Sequence, residues 1–278
     1  MYINVKGQLM DLSSPKVMGI LNITPDSFYA GSRQQTESEI ILRAKQILEE
    51  GGEIIDAGAY STRPGAVYVD EEEEMQRLDY GLRILCREYP DAIVSVDTFR
   101  AGIARRCVEE HGVAIVNDIS AGELDGRMFD TIASLRVPYI IMHMRGTPQT
   151  MTQLTEYGNF RQEVLLYFAR KIAQLNQLGV NDIILDPGFG FSKNTEQNYT
   201  LMKMSEEFRI FGLPLLVGIS RKKMIREILD CTTDESLNGT TVLNAYALLH
   251  GAHILRVHDV KEAVQAVKLI EKIKNSPL

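Results

Sequence analysis

Short apolar runs rich in β-branched residues recur along the whole chain, and each ends at a polar residue or a glycine. They are Val17–Ile23, Ile54–Ala57, Ile93–Val96, Ala114–Val116, Tyr139–Met142, Ile183–Leu185, Leu215–Ile219 and Ile254–Val257. Their length and composition predict buried strands. Between them, apolar residues recur at three- and four-residue spacing, which predicts amphipathic helices. The pattern therefore predicts eight alternating strand and helix units.

Strands that alternate with helices form a parallel sheet whose outer face the helices cover. The 278 residues give about 35 residues per unit, the size of one βα repeat, so we expect a (β/α)8 TIM barrel. A doubly wound open sheet is the alternative, but its dinucleotide-binding form carries G-x-G-x-x-G after the first strand, and this chain does not. The segment Tyr2–Gln8, with Lys6-Gly7 as its turn, predicts a short N-terminal β-hairpin that plugs the barrel. Since no linker-like stretch divides the chain, we expect residues 1–278 to form a single domain.

Composition excludes several classes of protein. The chain is 45% hydrophobic and carries 30 Lys+Arg against 37 Asp+Glu, a net charge of −7. This balance argues against disorder and against a general binder of nucleic acid or anionic membranes. Neither a signal-like N-terminus nor a run of about 18 apolar residues is present, so we expect a cytoplasmic protein.

Cysteine and histidine spacing gives little support to a disulfide framework or a zinc site. Cys86, Cys107 and Cys231 are far apart and form no C-x-x-C pair. The five histidines form no H-E-x-x-H motif. Any bound metal would therefore need oxygen ligands.

Polar residues follow all eight predicted strands, at the end where the active sites of such barrels lie. A single polar residue there commonly caps a loop, but eight on one rim favour a binding site. Two kinds of chemistry are present. Asp97, Asn117 and Asp186 would accept hydrogen bonds from a planar ring with several N–H donors. Asn22, Arg63, Lys222, Arg256 and His258 would bind phosphate or carboxylate oxygens.

The motifs at these strand ends resemble the motif set of bacterial dihydropteroate synthases. They are GILNITPDSF at 19–28, STRPGA at 61–66, SVDT at 95–98, NDIS at 117–120, MHMRG at 142–146, DPGFGF at 186–191 and SRK at 220–222. Each is weak alone, but their order and spacing are specific from about residue 17 to about residue 260. The resemblance implies an enzyme of folate synthesis. Its amine substrate, p-aminobenzoate, displaces pyrophosphate from 6-hydroxymethyl-7,8-dihydropterin pyrophosphate to give dihydropteroate.

The same resemblance implies a role for each matching residue. The expected pterin contacts are Asp97, Asn117, Met142, Asp186 and Lys222. The expected pyrophosphate contacts are Asn22, Thr62, Arg63, Arg256 and His258. The expected p-aminobenzoate contacts are Phe28, Arg63, Pro64, Phe191 and Lys223. It also implies Mg²⁺ beside Asn22, a homodimer formed through late helices, and binding of sulfonamides, which mimic p-aminobenzoate.

Some of these roles have plain structural alternatives. Met142 could be an ordinary core methionine, Phe28 and Phe191 could simply anchor loops, and the acidic residues could hold Mg²⁺ directly. His258 suits a fixed phosphate hydrogen bond better than a proton donor. The loops Thr24–Arg33 and Ala59–Val67 are long enough to close over ligands.

The chain departs from the family pattern at two places. Gly58-Ala59-Tyr60 stands where the family has Gly-Gly-Glu, and Lys223 stands where it has serine. Both changes bear on p-aminobenzoate and sulfonamide affinity. Two other functions stay open, a pterin-dependent methyltransferase and a pterin-binding paralogue without catalysis. The first would not need Arg63, Lys222 or the Arg256 and His258 pair.

Overall fold

Eight parallel strands close into a barrel in the computed structural model, which describes residues 1–23, 33–60 and 69–277. The strands are β3 (Lys16–Asn22), β4 (Ile54–Gly58), β5 (Ile93–Asp97), β6 (Ile115–Asp118), β7 (Tyr139–Met142), β8 (Ile183–Asp186), β9 (Leu216–Val217) and β10 (Ile254–Val257). They pair in the order β8-β7-β6-β5-β4-β3-β10-β9. A parallel bridge between Leu185 and Leu215 joins β8 to the residue before β9. The predicted barrel is therefore confirmed.

The strand predictions agree with these bounds, with one marked exception. β7 and β10 match the predicted runs. β9 covers only Leu216–Val217, because the register pairs these two residues alone with β10. Leu215, which we predicted to begin the strand, forms the bridge to β8, and its carbonyl accepts from the backbone N–H groups of His253 and Ile254.

Helices follow the strands and cover the outside of the barrel. They are α1 (Arg33–Glu49), α2 (Glu71–Glu88), α3 (Ala101–His111), α4 (Met128–Leu135), α5 (Phe160–Gln177), α6 (Thr195–Lys203), α7 (Lys223–Leu229), α8 (Leu237–Leu249) and α9 (Val260–Lys274). One large apolar cluster fills the space between them and the outward-facing strand residues. At Gly19 a Cβ would lie 2.6 Å from the Ile47 side chain, so glycine allows α1 to approach β3 closely. Among the described residues, no helix is long and apolar enough to span a bilayer.

The N-terminal hairpin closes one end of the barrel. Its strands, β1 (Tyr2–Val5) and β2 (Gln8–Asp11), pair antiparallel across a turn in which Lys6 and Gly7 both have positive φ. Ile3, Val5 and Leu12 pack on the inward-facing strand residues Met18, Ile54, Ile115, Ile140, Ile184, Leu216 and Ile254. The hairpin is confirmed, and it extends three residues beyond the predicted segment.

The inward-facing positions change from apolar to polar two residues after this layer. Because side chains alternate across a strand, Ile54, Ile115, Ile184 and Ile254 of the plugged layer are followed on the same face by Asp56, Asn117, Asp186 and Arg256. The open end of the barrel is thus lined by polar side chains directly above an apolar floor.

Candidate active site

Two carboxylates hold Arg256 in the open end of the barrel. From β10, its Nε donates to Asp56 Oδ2 at 2.6 Å and its Nη2 donates to Asp97 Oδ2 at 2.7 Å. The same oxygen of Asp56 accepts from Asn117 Nδ2 at 3.1 Å. The structure therefore brings Asp97, Asn117 and Arg256 together, as the strand ends predicted, and places Arg256 in ion pairs with two carboxylates.

The charges around Arg256 shift their neighbours' pKa values. Burial raises the pKa of Asp97 to about 7, although Arg256 acts to lower it, and the charge of Asp56 adds to the rise. For Arg256, burial lowers the pKa, but Asp56 and Asp97 outweigh burial and raise it above its ordinary value. The Asp97 side chain keeps 14% of its exposure, so a ligand entering the barrel can reach it.

A second group of predicted residues meets around the loop that follows β8. Asp186 Oδ1 accepts from the Gly188 backbone N–H at 2.8 Å, and burial raises its pKa against the opposing charge of Lys222. The Lys222 ammonium donates to the Phe189 carbonyl and lies 4.7 Å from the centre of the Phe191 ring. Burial lowers the pKa of Lys222 to about 8. Asp186, Lys222 and Phe191 thus share one side of the barrel mouth.

An apolar surface adjoins these polar groups. Met142 lies on β7, which pairs with the strand of Asn117 on one side and the strand of Asp186 on the other. It is 3% exposed and packs in a small cluster with Ile119, Met144 and Met151, against which Phe191 also rests. A thioether beside several acceptors suits the face of a planar heterocycle.

Other predicted residues lie further out or outside the described residues. Asn22 is exposed at the end of β3. His258 Nδ1 contacts Ser220 Oγ at 3.0 Å, beside the strand of Arg256. The Lys223 side chain is 76% exposed and pairs with Glu227 Oε1 at 3.0 Å. Phe28, Thr62, Arg63 and Pro64 lie outside the described residues. The ligand-binding roles of all these residues stay predictions.

Tyr60, one of the departures from the family pattern, contacts residues of two loops at the open end of the barrel. Its hydroxyl accepts from Gln149 Nε2 at 2.8 Å, and its ring meets Phe99 edge-on at 5.3 Å between centroids. Arg100 lies over the same ring and forms a buried ion pair with Glu74. The aromatic residue therefore has packing partners on the loops after β5 and β7.

Lys193 and His143 form a buried pair behind the loop after β8, which the sequence did not reveal. The Lys193 ammonium donates to the carbonyl oxygens of Gly188 at 2.8 Å, Phe191 at 2.9 Å and His143 at 3.2 Å. It also contacts His143 Nδ1 at 3.0 Å. Burial lowers the pKa of both side chains. Lys193 thereby joins the loop that carries Phe191 to the end of β7.

Asp56 is one of the polar strand-end residues, but the sequence assigned it no ligand. It is fully buried and accepts from two predicted ligand-binding residues through one oxygen. The available signal was its place in the strand, two residues after the inward-facing Ile54 and therefore inside the barrel.

Comparison with known proteins agrees with this arrangement. The model of a family described as pterin-binding enzymes matches residues 18–258. This chain belongs to the pterin-binding enzyme family. The dihydropteroate synthase of Escherichia coli K12 is 41% identical over 268 residues, which cover 96% of this chain and 94% of that relative.

Solved structures of pterin-binding enzymes have the same fold along nearly the whole chain. The Yersinia pestis dihydropteroate synthase, solved with a sulfonamide drug complex, is 36% identical with a TM-score of 0.91, covering 99% of this chain and 100% of that one. The Xanthomonas albilineans enzyme, solved with 4-aminobenzoic acid, is 32% identical with a TM-score of 0.90, covering 99% of each chain.

Proposed function

We propose that this chain is a dihydropteroate synthase, with residues 1–278 forming one pterin-binding barrel domain. It joins 6-hydroxymethyl-7,8-dihydropterin pyrophosphate to p-aminobenzoate and releases 7,8-dihydropteroate and pyrophosphate. The observation that carries the proposal is the convergence of Asp97, Asn117, Asp186 and Lys222 beside Met142 in a member of the family. The near full-length similarity to dihydropteroate synthases supports the same reaction.

The buried acceptors suit the edge of a pterin. Its exocyclic amine and adjacent ring N–H lie side by side, and one carboxylate can accept from both in a fork, the role we assign to Asp186. Asn117 and Asp97 accept from the remaining donors, and Lys222 donates to the pterin carbonyl. Met142 packs against the ring face. Because these groups lie in a buried site, each hydrogen bond to the correct ring counts for more than it would in water.

Arg256 links the pterin site to the leaving group. Its guanidinium is held by Asp56 and Asp97, and pyrophosphate brings a larger negative charge than either carboxylate. We propose that pyrophosphate binds Arg256 and His258 together with Asn22, Thr62 and Arg63. Movement of Arg256 toward pyrophosphate would release one oxygen of Asp97 for the pterin.

We propose Mg²⁺ as the cofactor, held beside Asn22. Among the described residues, the end of β3 offers one exposed neutral amide oxygen and no cluster of carboxylates. That single ligand fits Mg²⁺, which binds chiefly through phosphate oxygens and keeps several waters. When bound, the ion would neutralise charge that develops on pyrophosphate.

The reaction we propose is a dissociative substitution at the methylene carbon attached to the pterin. The bond to the pyrophosphate oxygen breaks early, and the dihydropterin delocalises the positive charge. The arylamine then forms the new C–N bond and loses a proton. Asp97 and Asp186 stabilise the cationic pterin, while Arg256 stabilises the departing anion, so catalysis comes from positioning and charge.

For p-aminobenzoate we propose a pocket formed by Phe28, Arg63, Pro64, Phe191 and Lys223. The contact of Phe191 with Lys222, which we assign to the pterin, supports its place in that pocket. We propose that sulfonamides bind there too, supported by the Yersinia pestis enzyme solved with such a drug. Since Lys223 pairs with Glu227, it must leave that partner before its ammonium contacts a carboxylate.

We also propose that the protein is a cytoplasmic homodimer. Exposed apolar side chains on α8 and α9, Val242, Leu269 and Ile273, support an interface there. The thiols of Cys86, Cys107 and Cys231 are unpaired, as a reducing compartment keeps them. Sedimentation equilibrium and cell fractionation test the two statements.

The decisive experiment is release of pyrophosphate from the pterin substrate in the presence of Mg²⁺. Release must depend on added p-aminobenzoate and must yield dihydropteroate. Asp186→Asn should lower turnover far more than Arg221→Ala, because Arg221 pairs with Asp259 on the way to α9. Failure to release pyrophosphate with both substrates would contradict the proposal, and equal mild losses in the two variants would contradict the role of Asp186.

A further inference from the structure

Asp56 has no predicted ligand, but it accepts hydrogen bonds from two residues that have one. Its Oδ2 accepts from Asn117 Nδ2 at 3.1 Å and from Arg256 Nε at 2.6 Å. Asp56 is 0% exposed, so it does not itself face solvent at the barrel mouth. Asn117 and Arg256 are the groups that we assign to the pterin and to pyrophosphate.

The bond from Asn117 determines which way its amide faces. A carboxylate only accepts hydrogen bonds, so the NH₂ group of Asn117 must be the one turned toward Asp56. Its carbonyl oxygen then lies on the opposite side of the amide. Within the part of the chain that the structure describes, no hydrogen bond reaches that oxygen, and it can accept an N–H from a ligand.

Arg256 is aligned by the same carboxylate. Asp56 binds Nε, which leaves the two terminal nitrogens of the guanidinium at its other end, and Asp97 takes one of them. Removing Asp56 would leave the Arg256 side chain with Asp97 as its single carboxylate partner among the described residues. Asp56 therefore constrains a pterin-binding amide and an anion-binding guanidinium at once.

We infer that Asp56 is a positioning residue that turns the Asn117 carbonyl toward the pterin and orients Arg256 for pyrophosphate. The inference deepens the proposed function and rests on it. It predicts that Asp56 and Asn117 act as one unit in pterin binding. A residue that served stability alone would not be coupled to Asn117 in this way.

A double-mutant cycle tests the coupling. Dissociation constants for a neutral pterin without pyrophosphate are measured for the wild type, Asp56→Ala, Asn117→Ala and the double variant. Alanine is used at position 56 because asparagine would keep an oxygen that accepts from Asn117. We expect Asp56→Ala to weaken pterin binding about tenfold when Asn117 is present and hardly at all when Asn117 is replaced by alanine, because the hydrogen bond can be lost only once.

The matched control is Ser95→Ala, since Ser95 pairs with Asp56 in register and is equally buried. This variant should bind pterin normally. Equal losses from Asp56→Ala with and without Asn117 would overturn the inference.

A second measurement needs neither catalysis nor a stable variant. In ligand-free wild-type protein, the side-chain N–H groups of Asn117 and Arg256 that face Asp56 should exchange with solvent slowly, as followed by nitrogen-15 spectroscopy. Rapid exchange of both groups would overturn the inference. Slow exchange with coupled pterin binding, in a protein that forms no dihydropteroate, would uphold the inference about Asp56 and refute only the proposed reaction.

Discussion

Pterin binding should weaken about tenfold when the pH falls from about 8 to about 6, because Asp97 becomes protonated. Its pKa lies at about 7 in the ligand-free protein. The charged fraction therefore falls from about 90% at pH 8 to about 10% at pH 6. Only the ionised carboxylate offers both oxygens as acceptors to ring N–H groups. A roughly tenfold smaller competent fraction corresponds to about 1.4 kcal/mol of binding free energy.

The folding free energy should depend on pH in the opposite sense. Burial raises the pKa of Asp97 above its ordinary value of 3.8, so the native state holds this proton more tightly than the unfolded chain. The contribution of Asp97 to stability is therefore greatest at low pH and is lost as the pH rises from about 4 to about 7. At a pH high enough to ionise Asp97 and favour pterin binding, Asp97 therefore contributes least to the free energy of unfolding.

The assay compares the wild type with Asp97→Asn. Pterin dissociation constants are measured by calorimetry across this pH range, and the ratio of the two proteins' values is taken at each pH. Titration of the ligand is common to both proteins and cancels. The pKa of Lys222, about 8 in the wild type, should fall in Asp97→Asn because the charge of Asp97 helps to raise it. The wild-type advantage should shrink about tenfold toward pH 6. A ratio that stays constant would refute our account of Asp97.

Three further substitutions test the packing behind the site, each followed by urea denaturation. Tyr139→Phe removes the hydroxyl that donates to Asp118 Oδ2 at 2.6 Å and should cost about 1–2 kcal/mol of unfolding free energy; no change would mean that solvent replaces this bond. Gly188→Ala should cost more than about 2 kcal/mol, because φ is +73° and the new Cβ would lie 2.2 Å from the His143 carbonyl oxygen; a neutral result would show that the loop shifts easily. Lys193→Met leaves the carbonyls of Gly188 and His143 without their donor and should cost about 2–4 kcal/mol, whereas greater stability would mean that burying the ammonium is the larger cost.

The ion pairs of Arg256 suggest an order of events at the site. Without ligand, its guanidinium pairs with both Asp56 and Asp97 inside the barrel, and its single positive charge offsets part of the repulsion between the two buried carboxylates. In the site that we propose, pyrophosphate and pterin arrive in one substrate, so Arg256 and Asp97 would exchange partners together. Such an exchange would keep Arg256 paired with an anion throughout.

Much of the fold could be predicted from local pattern. The apolar runs of β7 and β10, and the two-residue turn at Lys6-Gly7, depend on neighbouring residues in the chain, and the structure has them where the pattern placed them. β9 was predicted too long, because apolar content does not show where a ladder loses its partner strand. The strand-end rule likewise brought Asp97, Asn117, Asp186 and Arg256 to one rim.

By itself, the sequence determined the alternation of buried strands and helices, the barrel that follows from it, and the polar character of one rim. These properties depend on which face of each helix or strand is buried away from water. The order of apolar and polar residues within each segment determines that face. Only the tertiary structure decided which side chains form ion pairs and hydrogen bonds with each other. Arg256 meets Asp56 and Asp97 across 200 and 159 positions of the chain, and Lys193 meets His143 across 50. Such contacts depend on barrel closure and strand register. These bring side chains that are distant in the chain to within a few ångströms of each other, and no local sequence pattern specifies that distance.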